Sequence, residues 1–584
     1  MSTQAGQAQH TETLPKDTVL IAGGGPVGLL VARILSFYGT KSILFERNKT
    51  TTRWPKMDLT NARSMEIFRK IGLAEGLRER GVPSHIPYNV LFTSGLSIDE
   101  PLSSWKFPNV DTLRKQYREI NDGAQPLEPW QRISQILFER WLKEICDKDP
   151  LIDVRFGHKV ESVAESKTGA QAIIANIDSG EKTFWNAEYI VGCDGASSKV
   201  RQSLGIPLDG GPLPAQVLLV HFKSKDLTRL HKQGRFWHLL SVGESGAFQG
   251  AAISQDEDDT WTSNLFMPLE EDPEKVSSEE AIYRVLGGLY GKYEIKVDQI
   301  LVRSVWRLSM CTAEKYVSPH GRVILAGDSA HQNIPTGGYG MNMGIGDAFD
   351  LGWKLSAVIS GQAGREILES YELERRPVAV RNVERSGVHL SVHSRLQELL
   401  TSVGDPRLVD QDTEEGHALR KTIDDHYQRN DGENKDTGIE MGYRYTSPII
   451  LRQEEDGKEP QWSPRDYIPS TWPGARPPHI FLSDGTAIFD QLGKFWSLLV
   501  FTAEEVGQGF FKKAAEELDI PFKVVNIIDE PKAASLYERK LVLIRPDQHV
   551  AWRANKTDSF EAADRVLRTV TSRIKDDGVR KEGL

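Results

Sequence analysis

The strongest constraint on the fold is the stretch of residues 19–28, which reads V-L-I-A-G-G-G-P-V-G. Its first four residues are apolar, as in a buried parallel strand, and the glycines that follow have the G-x-G-x-x-G spacing. In that motif Gly23 permits a tight turn, Gly25 lets the backbone approach a pyrophosphate, and Gly28 lets helix and strand pack closely. Residues 29–35 have the composition of a helix packed on a sheet. The stretch therefore predicts a strand–turn–helix site for a dinucleotide.

An acid stands at the expected distance behind this motif. The strand-like residues 42–45 end at Glu46, which lies 21 residues after Gly25. A doubly wound fold places a carboxylate there to accept hydrogen bonds from a ribose. A lone G-x-G-x-x-G is often an ordinary turn, but strand, helix and acid in register favour nucleotide binding. They leave open which nucleotide is bound.

Composition bounds the remaining possibilities. The chain has 584 residues, enough for two or three domains, and a formal net charge of −10, which argues against nucleic acid as a partner. No apolar run reaches the roughly 18–20 residues of a membrane span. Its three cysteines lack metal-ligand spacing, so we expect no metal site and a reducing, cytoplasmic location. The polar residues 1–15 are expected to form a disordered tail.

Two further turns follow buried strands. Residues 189–193 lead into Asp194, and residues 321–327 lead into Asp328. Acids at the carboxyl ends of strands lie where open α/β sheets bind ligands, although a plain turn explains either one alone. The glycine-rich segment after Asp328 enters a helix, whose N-terminus would stabilise negative charge nearby.

Between these motifs lie segments that we expect to carry or cover a pocket. Arg63 begins a predicted helix and can clamp a phosphate, although a solvated helix charge explains it equally well. Residues 130–145 predict an amphipathic helix. Residues 84–128 are irregular and rich in Pro, Ser and Gly, and residues 215–310 predict antiparallel strands with many aromatic residues.

Taken in order, the motifs resemble one family. They are G-G-G-P-V-G at 23–28, C-D-G-A-S-S at 193–198, G-D-S-A-H-Q-N-I-P-T-G-G-Y-G-M-N at 327–342 and D-A-F-D-L-G-W-K-L at 347–355. This set closely resembles the single-component FAD-dependent aromatic hydroxylases (class A flavoprotein monooxygenases), in the branch of phenol hydroxylase and dichlorophenol monooxygenase. The resemblance covers nearly the whole chain, including R-P-D-Q-H-V-A-W-R at 545–553.

The resemblance implies an α/β fold with three parts. A Rossmann-like FAD-binding domain would span residues 16–452, interleaved with an antiparallel-sheet substrate domain inserted at about 84–128 and 211–314. A linker would follow at 453–473. Residues 474–584 would form a thioredoxin-like domain, without redox cysteines because none occurs in that range.

It also implies the cofactor site, residue by residue. The first glycine motif and the acid after it would hold the ADP half of FAD, and residues 335–342 would line the isoalloxazine ring. The cofactor-binding residues expected from the resemblance are Gly23, Gly25, Pro26, Val27, Gly28, Glu46, Arg47, Arg63, Gln135, Asp194, Asp328, Pro335, Gly338, Gly340, Met341 and Asn342.

The substrate site rests on a smaller set. Asp58 lies five residues before Arg63, which matches an acid in the substrate pocket of phenol hydroxylase-like members. A flavin C4a-hydroperoxide is attacked fast only by an electron-rich ring, so a phenol with a pKa near 10 must lose its proton. Asp58 is therefore the predicted base. Trp237, His238 and Arg303 are predicted to line the pocket.

The implied function is NAD(P)H- and O2-dependent hydroxylation of a phenolic or hydroxybenzoate-like substrate, with decarboxylation left open. NADPH or NADH would bind transiently, because the chain has no second recognisable nucleotide site, and a homodimer is expected from the family. Two alternatives remain at this point. One is a two-electron flavin oxidoreductase without oxygen insertion, and the other is a carrier without turnover on the same fold.

Overall fold

The computed structural model describes residues 10–227 and 232–573. The strands, in chain order, are β1 Thr11–Thr13, β2 Thr18–Ala22, β3 Lys41–Glu46, β4 Leu59–Thr60, β5 Val90–Thr93, β6 Ser103–Trp105, β7 Gln131–Arg132, β8 Ile152–Phe156, β9 His158–Ser166, β10 Gly169–Asn176, β11 Lys182–Ala187, β12 Ile190–Gly192, β13 Leu208–Lys223, β14 His238–Val242, β15 Phe248–Ser254, β16 Thr260–Pro268, β17 Gln299–Ala313, β18 Val323–Leu325, β19 His331–Gln332, β20 Trp496–Val500, β21 Phe522–Asn526, β22 Leu541–Ile544 and β23 Val550–Ala554. The helices are α1 Pro26–Phe37, α2 Ala62–Lys70, α3 Ala74–Arg80, α4 Val110–Ile120, α5 Gln135–Asp147, α6 Lys199–Ser203, α7 Ser278–Gly287, α8 Tyr339–Ile359, α9 Glu369–Thr401, α10 Glu414–Arg429, α11 Thr437–Glu440, α12 Ile488–Gln491, α13 Gln508–Glu517, α14 Pro531–Tyr537 and α15 Phe560–Val570.

A parallel sheet lies at the centre of the fold, with the strand order β18-β12-β2-β3-β8. All neighbouring strands in it run parallel, and every residue of β2 is buried, as its continuous apolar run predicts. Helices α1 and α8 pack together beside this sheet. Because parallel strands end at the same edge, the segments that follow β2, β3, β12 and β18 meet there.

An eight-stranded sheet forms the second layer, in the order β19-β17-β13-β16-β15-β14-β5-β6. Its strands β13 to β17 lie in the region predicted to be antiparallel. The expectation that residues 84–128 are irregular is wrong in part, because β5, β6 and α4 lie there. The strand β5 is a buried four-residue run that extends the sheet by pairing with β14, a partner far away in sequence.

Two other expectations also need correction. The amphipathic helix begins at Gln135 rather than at residue 130, because Gln131 and Arg132 pair with Thr60 and Leu59 as a short ribbon. The predicted disordered tail is wrong for residues 11–13, which form a strand paired in parallel with residues 184–186. The first nine residues of that tail lie outside the described part of the chain.

The last sheet has the order β21-β20-β22-β23, in which β20 and β21 are parallel and the other pairs are antiparallel. The elements of this region follow one another as strand, helix, strand, helix, strand, strand and helix, namely β20, α13, β21, α14, β22, β23 and α15. Its thioredoxin-like character and the predicted domain boundaries stay predictions, and residues 574–584 lie outside the described part. No helix among the described residues has the length and apolar character that crossing a membrane requires.

Candidate active site

The three turns that the motifs predict do meet. A Cβ atom built on Gly23 would lie 2.3 Å from the carbonyl oxygen of Cys193, in the turn after β12. A Cβ atom built on Gly327 would lie 2.9 Å from the side chain of Val27, in the first turn of α1. Segments separated by about three hundred residues in the sequence therefore touch at one edge of the parallel sheet.

The glycine turn has the three properties that its spacing predicts. Gly23 has a φ of +105°, in the left-handed region that favours glycine. A Cβ on Gly28 would lie 2.0 Å from the carbonyl oxygen of Gly23, so the close packing of turn and helix requires glycine there. A Cβ on Gly25 would meet no atom within 4 Å. Space is thus open at the N-terminus of α1, where unpaired N–H groups attract phosphate.

Glu46 is fixed in position by backbone groups. Its carboxylate accepts hydrogen bonds from the N–H of Gly24 at 2.8 Å and from the N–H of Asn48 at 2.8 Å. The carboxylate therefore lies directly beside the glycine turn, half-buried, at the place where a ribose would be bound. Its neighbour Arg47 is exposed.

Asp194 stabilises the turn that follows β12, and its role in binding FAD stays a prediction. Its carboxylate accepts hydrogen bonds from the hydroxyl of Ser198 at 2.5 Å and from the backbone N–H of Lys199 at 2.6 Å and Val200 at 3.1 Å. These bonds cap the short helix α6. Asp194 therefore holds the shape of the turn that touches Gly23.

The side chain of Asp328 is exposed at this edge of the sheet, although neighbouring protein atoms partly desolvate its carboxyl. This desolvation raises the pKa of its carboxyl, and the positive charges of His331 and Lys56 oppose the rise. Lys56 was not among the predicted site residues. It is exposed, makes no ion pair within the described part of the chain, and its charge also opposes the raised pKa of Glu139. A basic residue two positions before Asp58 was the only sequence signal for it.

Arg63 is not available as a phosphate clamp. Its guanidinium is buried and donates to the carbonyl oxygen of Asp547 at 2.7 Å and to Gln548 at 2.9 Å, and it lies 3.2 Å from Glu66. Asp547 and Gln548 belong to the C-terminal region, which sequence spacing could not place next to α2. Arg63 therefore joins two parts of the fold.

Gln135 is placed beside the cleft by its backbone. Its N–H donates to the carbonyl oxygen of Met57 at 2.9 Å, and its buried side chain donates to Glu139 at 3.3 Å. The first turn of α5 therefore lies against residues 56–58, the segment that carries Lys56 and Asp58.

The N-terminus of α8 closes the other side. The helix starts after Gly338, which has a φ of +63°, and Asn342 ties it to the segment near Asp58. The amide of Asn342 accepts from the N–H of Asn61 at 2.9 Å and donates to the carbonyl oxygen of Leu59 at 3.2 Å. Pro335 is exposed, whereas Gly340 and Met341 are half-buried in the same segment.

The loop before α8 depends on a residue that the sequence did not reveal. The N–H of Gly337 donates to Glu433 at 3.0 Å, and His393 pairs with the same carboxylate at 2.9 Å. Burial would raise the pKa of Glu433, but the hydrogen bonds from His393 and Gly337 and the charges of His393 and His389 lower it to about 2. Glu433 lies in a charged stretch that resembles a solvated linker, so composition alone hides its role.

Asp58, Trp237 and His238 come together as predicted. The indole N–H of Trp237 donates to Asp58 Oδ2 at 2.5 Å, and His238 Nε2 lies 3.5 Å from the same oxygen. Burial would raise the pKa of Asp58, but His238, the nearby guanidinium of Arg132 and the indole N–H together hold it below its usual value. Asp58 is therefore held as an ionised carboxylate, with Trp237 and His238 beside it, near the N-terminus of α8.

Arg303 does not join this group. It lies opposite Val220 in the β13–β17 ladder, and Val220 packs with Leu239 in the core on the α7 side. Because His238 and Leu239 alternate along β14, Arg303 lies on the face away from His238. Its guanidinium donates to the carbonyl oxygen of Pro273 at 2.6 Å. The prediction that Arg303 lines this pocket is therefore wrong.

A small cavity of about 20 Å³ lies behind Asn342 and Arg63, and Glu440 lines it. Burial raises the pKa of Glu440 to about 8, so the folded protein keeps a proton that the unfolded chain releases above about pH 4.5. The free energy of unfolding therefore falls as the pH rises from 4.5 to 8.

We expect Glu440→Gln to stabilise the protein by about 3 kcal/mol more at pH 8 than at pH 5, measured by denaturant unfolding. An equal effect at both pH values would contradict this assignment.

Known protein families and relatives match most of the length of this chain. One family model, described as an FAD binding domain, matches residues 16–386, and another, described as aromatic-ring hydroxylase, C-terminal, matches residues 470–575. The FAD-dependent monooxygenase apdD of Emericella nidulans is 45% identical over 570 residues, which cover 95% of this chain and 90% of that protein. Phenol 2-monooxygenase of a Pseudomonas species is 27% identical, with 92% of this chain and 89% of that protein covered.

A solved structure agrees with these relatives. The crystal structure of the flavin-dependent monooxygenase PieE in complex with FAD and substrate has a TM-score of 0.84 and 28% identity, over 96% of this chain and 100% of that one. The FAD binding domain model alone spans more than half of the chain. On these matches and on the convergence of its three turns, the chain belongs to the FAD-dependent aromatic-ring hydroxylases, the class A flavin monooxygenases.

Proposed function

We propose that the protein hydroxylates a phenolic or hydroxybenzoate-like ring in the cleft between Asp58, His238 and the N-terminus of α8, with NADPH or NADH as electron donor and O2 as oxidant. The observation that carries this proposal is the half-buried carboxylate of Asp58 with the imidazole of His238 3.5 Å away, close to the N-terminus of α8. A hydroxylated ring that must lose a proton fits such a pair.

The residues at the sheet edge fit FAD. Gly25 and the N-terminus of α1 would hold its pyrophosphate, Glu46 its adenosine ribose, and Asp328 its ribityl chain. Lys56, a cation without an ion-pair partner in the described chain, takes the phosphate role that Arg63 cannot fill. Bound FAD supplies the transfer of electrons to oxygen, which no side chain can perform.

The protein contributes orientation and charge. The N-terminus of α8 directs N–H groups at the cleft, where they would stabilise negative charge on the flavin ring. The link from Asn342 to Leu59 fixes the distance between that helix end and the Asp58 segment. The aromatic groups around Asp58 lower water access, which strengthens each of these electrostatic contacts.

Other parts of the proposal rest on the family. A hydroxybenzoate-like substrate would lose its carboxyl group on hydroxylation at the same carbon, so decarboxylation belongs to the proposal for that subclass alone. We propose a homodimer and a thioredoxin-like C-terminal domain without redox chemistry. In support of a structural role, Asp547 and Gln548 of that region hold Arg63 at the start of α2.

A panel of substituted phenols and hydroxybenzoates tests the proposal. The FAD-loaded protein should oxidise NADPH or NADH slowly alone and at least about tenfold faster with a ring substrate, because binding in the cleft aligns the reactants. Product identity is followed by chromatography and mass spectrometry. If no hydroxylated ring accelerates the oxidation while FAD is bound, the phenolic assignment is wrong.

A further inference from the structure

We propose that the Nδ1 atom of His238 takes the proton from the ring hydroxyl, and that Asp58 is a positioning residue for His238. The proposal deepens the function proposed above and revises the sequence prediction that Asp58 is the base. It rests on the hydrogen-bond partners of Asp58 and on the geometry of the His238 ring.

One carboxylate oxygen of Asp58 is already engaged by neighbouring side chains. Its Oδ2 accepts the indole N–H of Trp237 at 2.5 Å and lies 3.5 Å from His238 Nε2. Its backbone is also held, because its carbonyl oxygen accepts the N–H of Ile133 at 3.0 Å. The guanidinium of Arg132 lies close enough to favour the ionised carboxylate. A carboxylate held in this way is a poor acceptor for the proton of a phenol, whose own pKa is near 10.

The ionised carboxylate determines the tautomer of His238. A carboxylate can only accept, so the nitrogen that faces it, Nε2, carries the hydrogen in the neutral ring. Nδ1 then keeps its lone pair. Within the described part of the chain no group donates a hydrogen bond to Nδ1, and the side chain is 20% exposed. Nε2 itself makes no hydrogen bond within the described residues, so the negative charge of Asp58 at 3.5 Å is what favours a hydrogen on this side, and Nδ1 is free to accept a proton.

Of the charged groups around His238 in the described part of the chain, Asp58 lies nearest to its ring. In the sheet, His238 is paired with Val90 on β5 and with Ile253 on β15, both apolar. Its own neighbour Trp237 lies against it with ring centroids 4.0 Å apart. The other charged and titratable groups lie behind Trp237: Arg132 donates to Glu257 and lies over the rings of Tyr88 and Trp237, Arg132 Cζ being 5.3 Å from the indole centroid.

The proposed step balances as a simple proton transfer. The O–H bond of the ring hydroxyl breaks, its electron pair stays on oxygen, and an N–H bond forms at Nδ1 of His238. The resulting imidazolium is stabilised by the Asp58 carboxylate across Nε2–H. The electron-rich phenolate is the form that accepts oxygen most readily. The imidazolium returns its proton to water after the product leaves.

The experiment uses 4-nitrophenol, whose absorption reports its ionised form, bound to the FAD-loaded protein. The variants are His238→Gln, Asp58→Asn and, as a control, His320→Gln, an exposed histidine outside the cleft. We expect bound 4-nitrophenol to ionise about 1–2 pH units lower than free probe in wild type and in the control. In His238→Gln this shift should disappear, and in Asp58→Asn it should shrink without disappearing.

A second readout separates a catalytic from a structural role. In His238→Gln, kcat at neutral pH should fall by about 100-fold or more and then rise with pH toward the pKa of the substrate itself. FAD affinity should stay unchanged. If Asp58→Asn abolishes the ionisation shift and His238→Gln leaves it intact, Asp58 is the base and the proposal is overturned.

Different results would refute the role of His238 and the proposed function. Ionisation of bound 4-nitrophenol that follows His238, in a protein that incorporates no oxygen into any ring, supports the inference and refutes the proposed function. A wild-type protein that binds FAD but shows no ionisation shift overturns the inference, whatever its activity.

Discussion

Replacing Gly25 with alanine is expected to weaken FAD binding by about 100-fold, or nearly 3 kcal/mol, without changing the stability of the FAD-free protein. A Cβ on Gly25 meets no protein atom within 4 Å, and the backbone there is not in the left-handed region. The methyl group would therefore occupy only the space where the pyrophosphate approaches the N-terminus of α1. The dissociation constant of FAD is measured by flavin fluorescence, and stability by denaturant unfolding of the apoprotein.

Two glycines provide matched comparisons. Gly211→Ala also adds a methyl group in open space, on β13, and should change neither quantity by more than about 0.5 kcal/mol. Gly28→Ala places a methyl group 2.0 Å from a carbonyl oxygen and should destabilise the protein itself. An unchanged FAD affinity in Gly25→Ala would mean that the phosphates do not lie at this turn.

Arg545→Met is expected to have the largest effect on stability, a loss of about 3–5 kcal/mol. Arg545 is fully buried between α8, α9 and the C-terminal sheet, and it donates to Glu374 at 2.7 Å, Asp547 at 2.6 Å and Asp350 at 3.0 Å. Oxygens of these three carboxylates lie within 4.8 Å of one another. Without Arg545, Lys354 alone would balance them. Uncompensated buried charge is the reason for the loss.

The control for this variant is Arg565→Met, an exposed arginine of the same region, which should cost less than about 0.5 kcal/mol. Adding Glu374→Gln to Arg545→Met should restore part of the lost stability, because it removes one of the unpaired charges. The stabilities of the control and of the double variant are measured from denaturant unfolding midpoints at pH 7. Equal losses in the two arginine variants would show that the buried network does not hold the C-terminal region in place.

Much of the candidate nucleotide site could be predicted from short stretches of the sequence. The glycine turn, the acid at Glu46 and the turns at Asp194 and Asp328 each follow a buried strand, and the parallel sheet brings them to one edge. Such features can be predicted because the responsible residues are neighbours in the chain, where turn geometry and strand pattern act directly.

The remaining site residues depend on distant partners. Arg63 begins a helix in a way typical of a phosphate ligand, but Asp547 and Gln548 occupy its donors. Glu433 lies in a polar stretch and is recruited by Gly337 only in the folded chain. Sequence periodicity contains no information about which distant carbonyl or amide will face a side chain, so these roles appear only with the tertiary structure.

The proposed hydroxylation requires that an oxygen atom of O2 is transferred to the ring. The direct test is to supply isotopically labelled O2 and NAD(P)H to the FAD-loaded protein with the best phenolic substrate of the panel, and to weigh the product. We predict one labelled oxygen atom in each hydroxylated product molecule, with the other in water. An oxidised product that contains no labelled oxygen would contradict the account and would identify a two-electron flavin oxidoreductase.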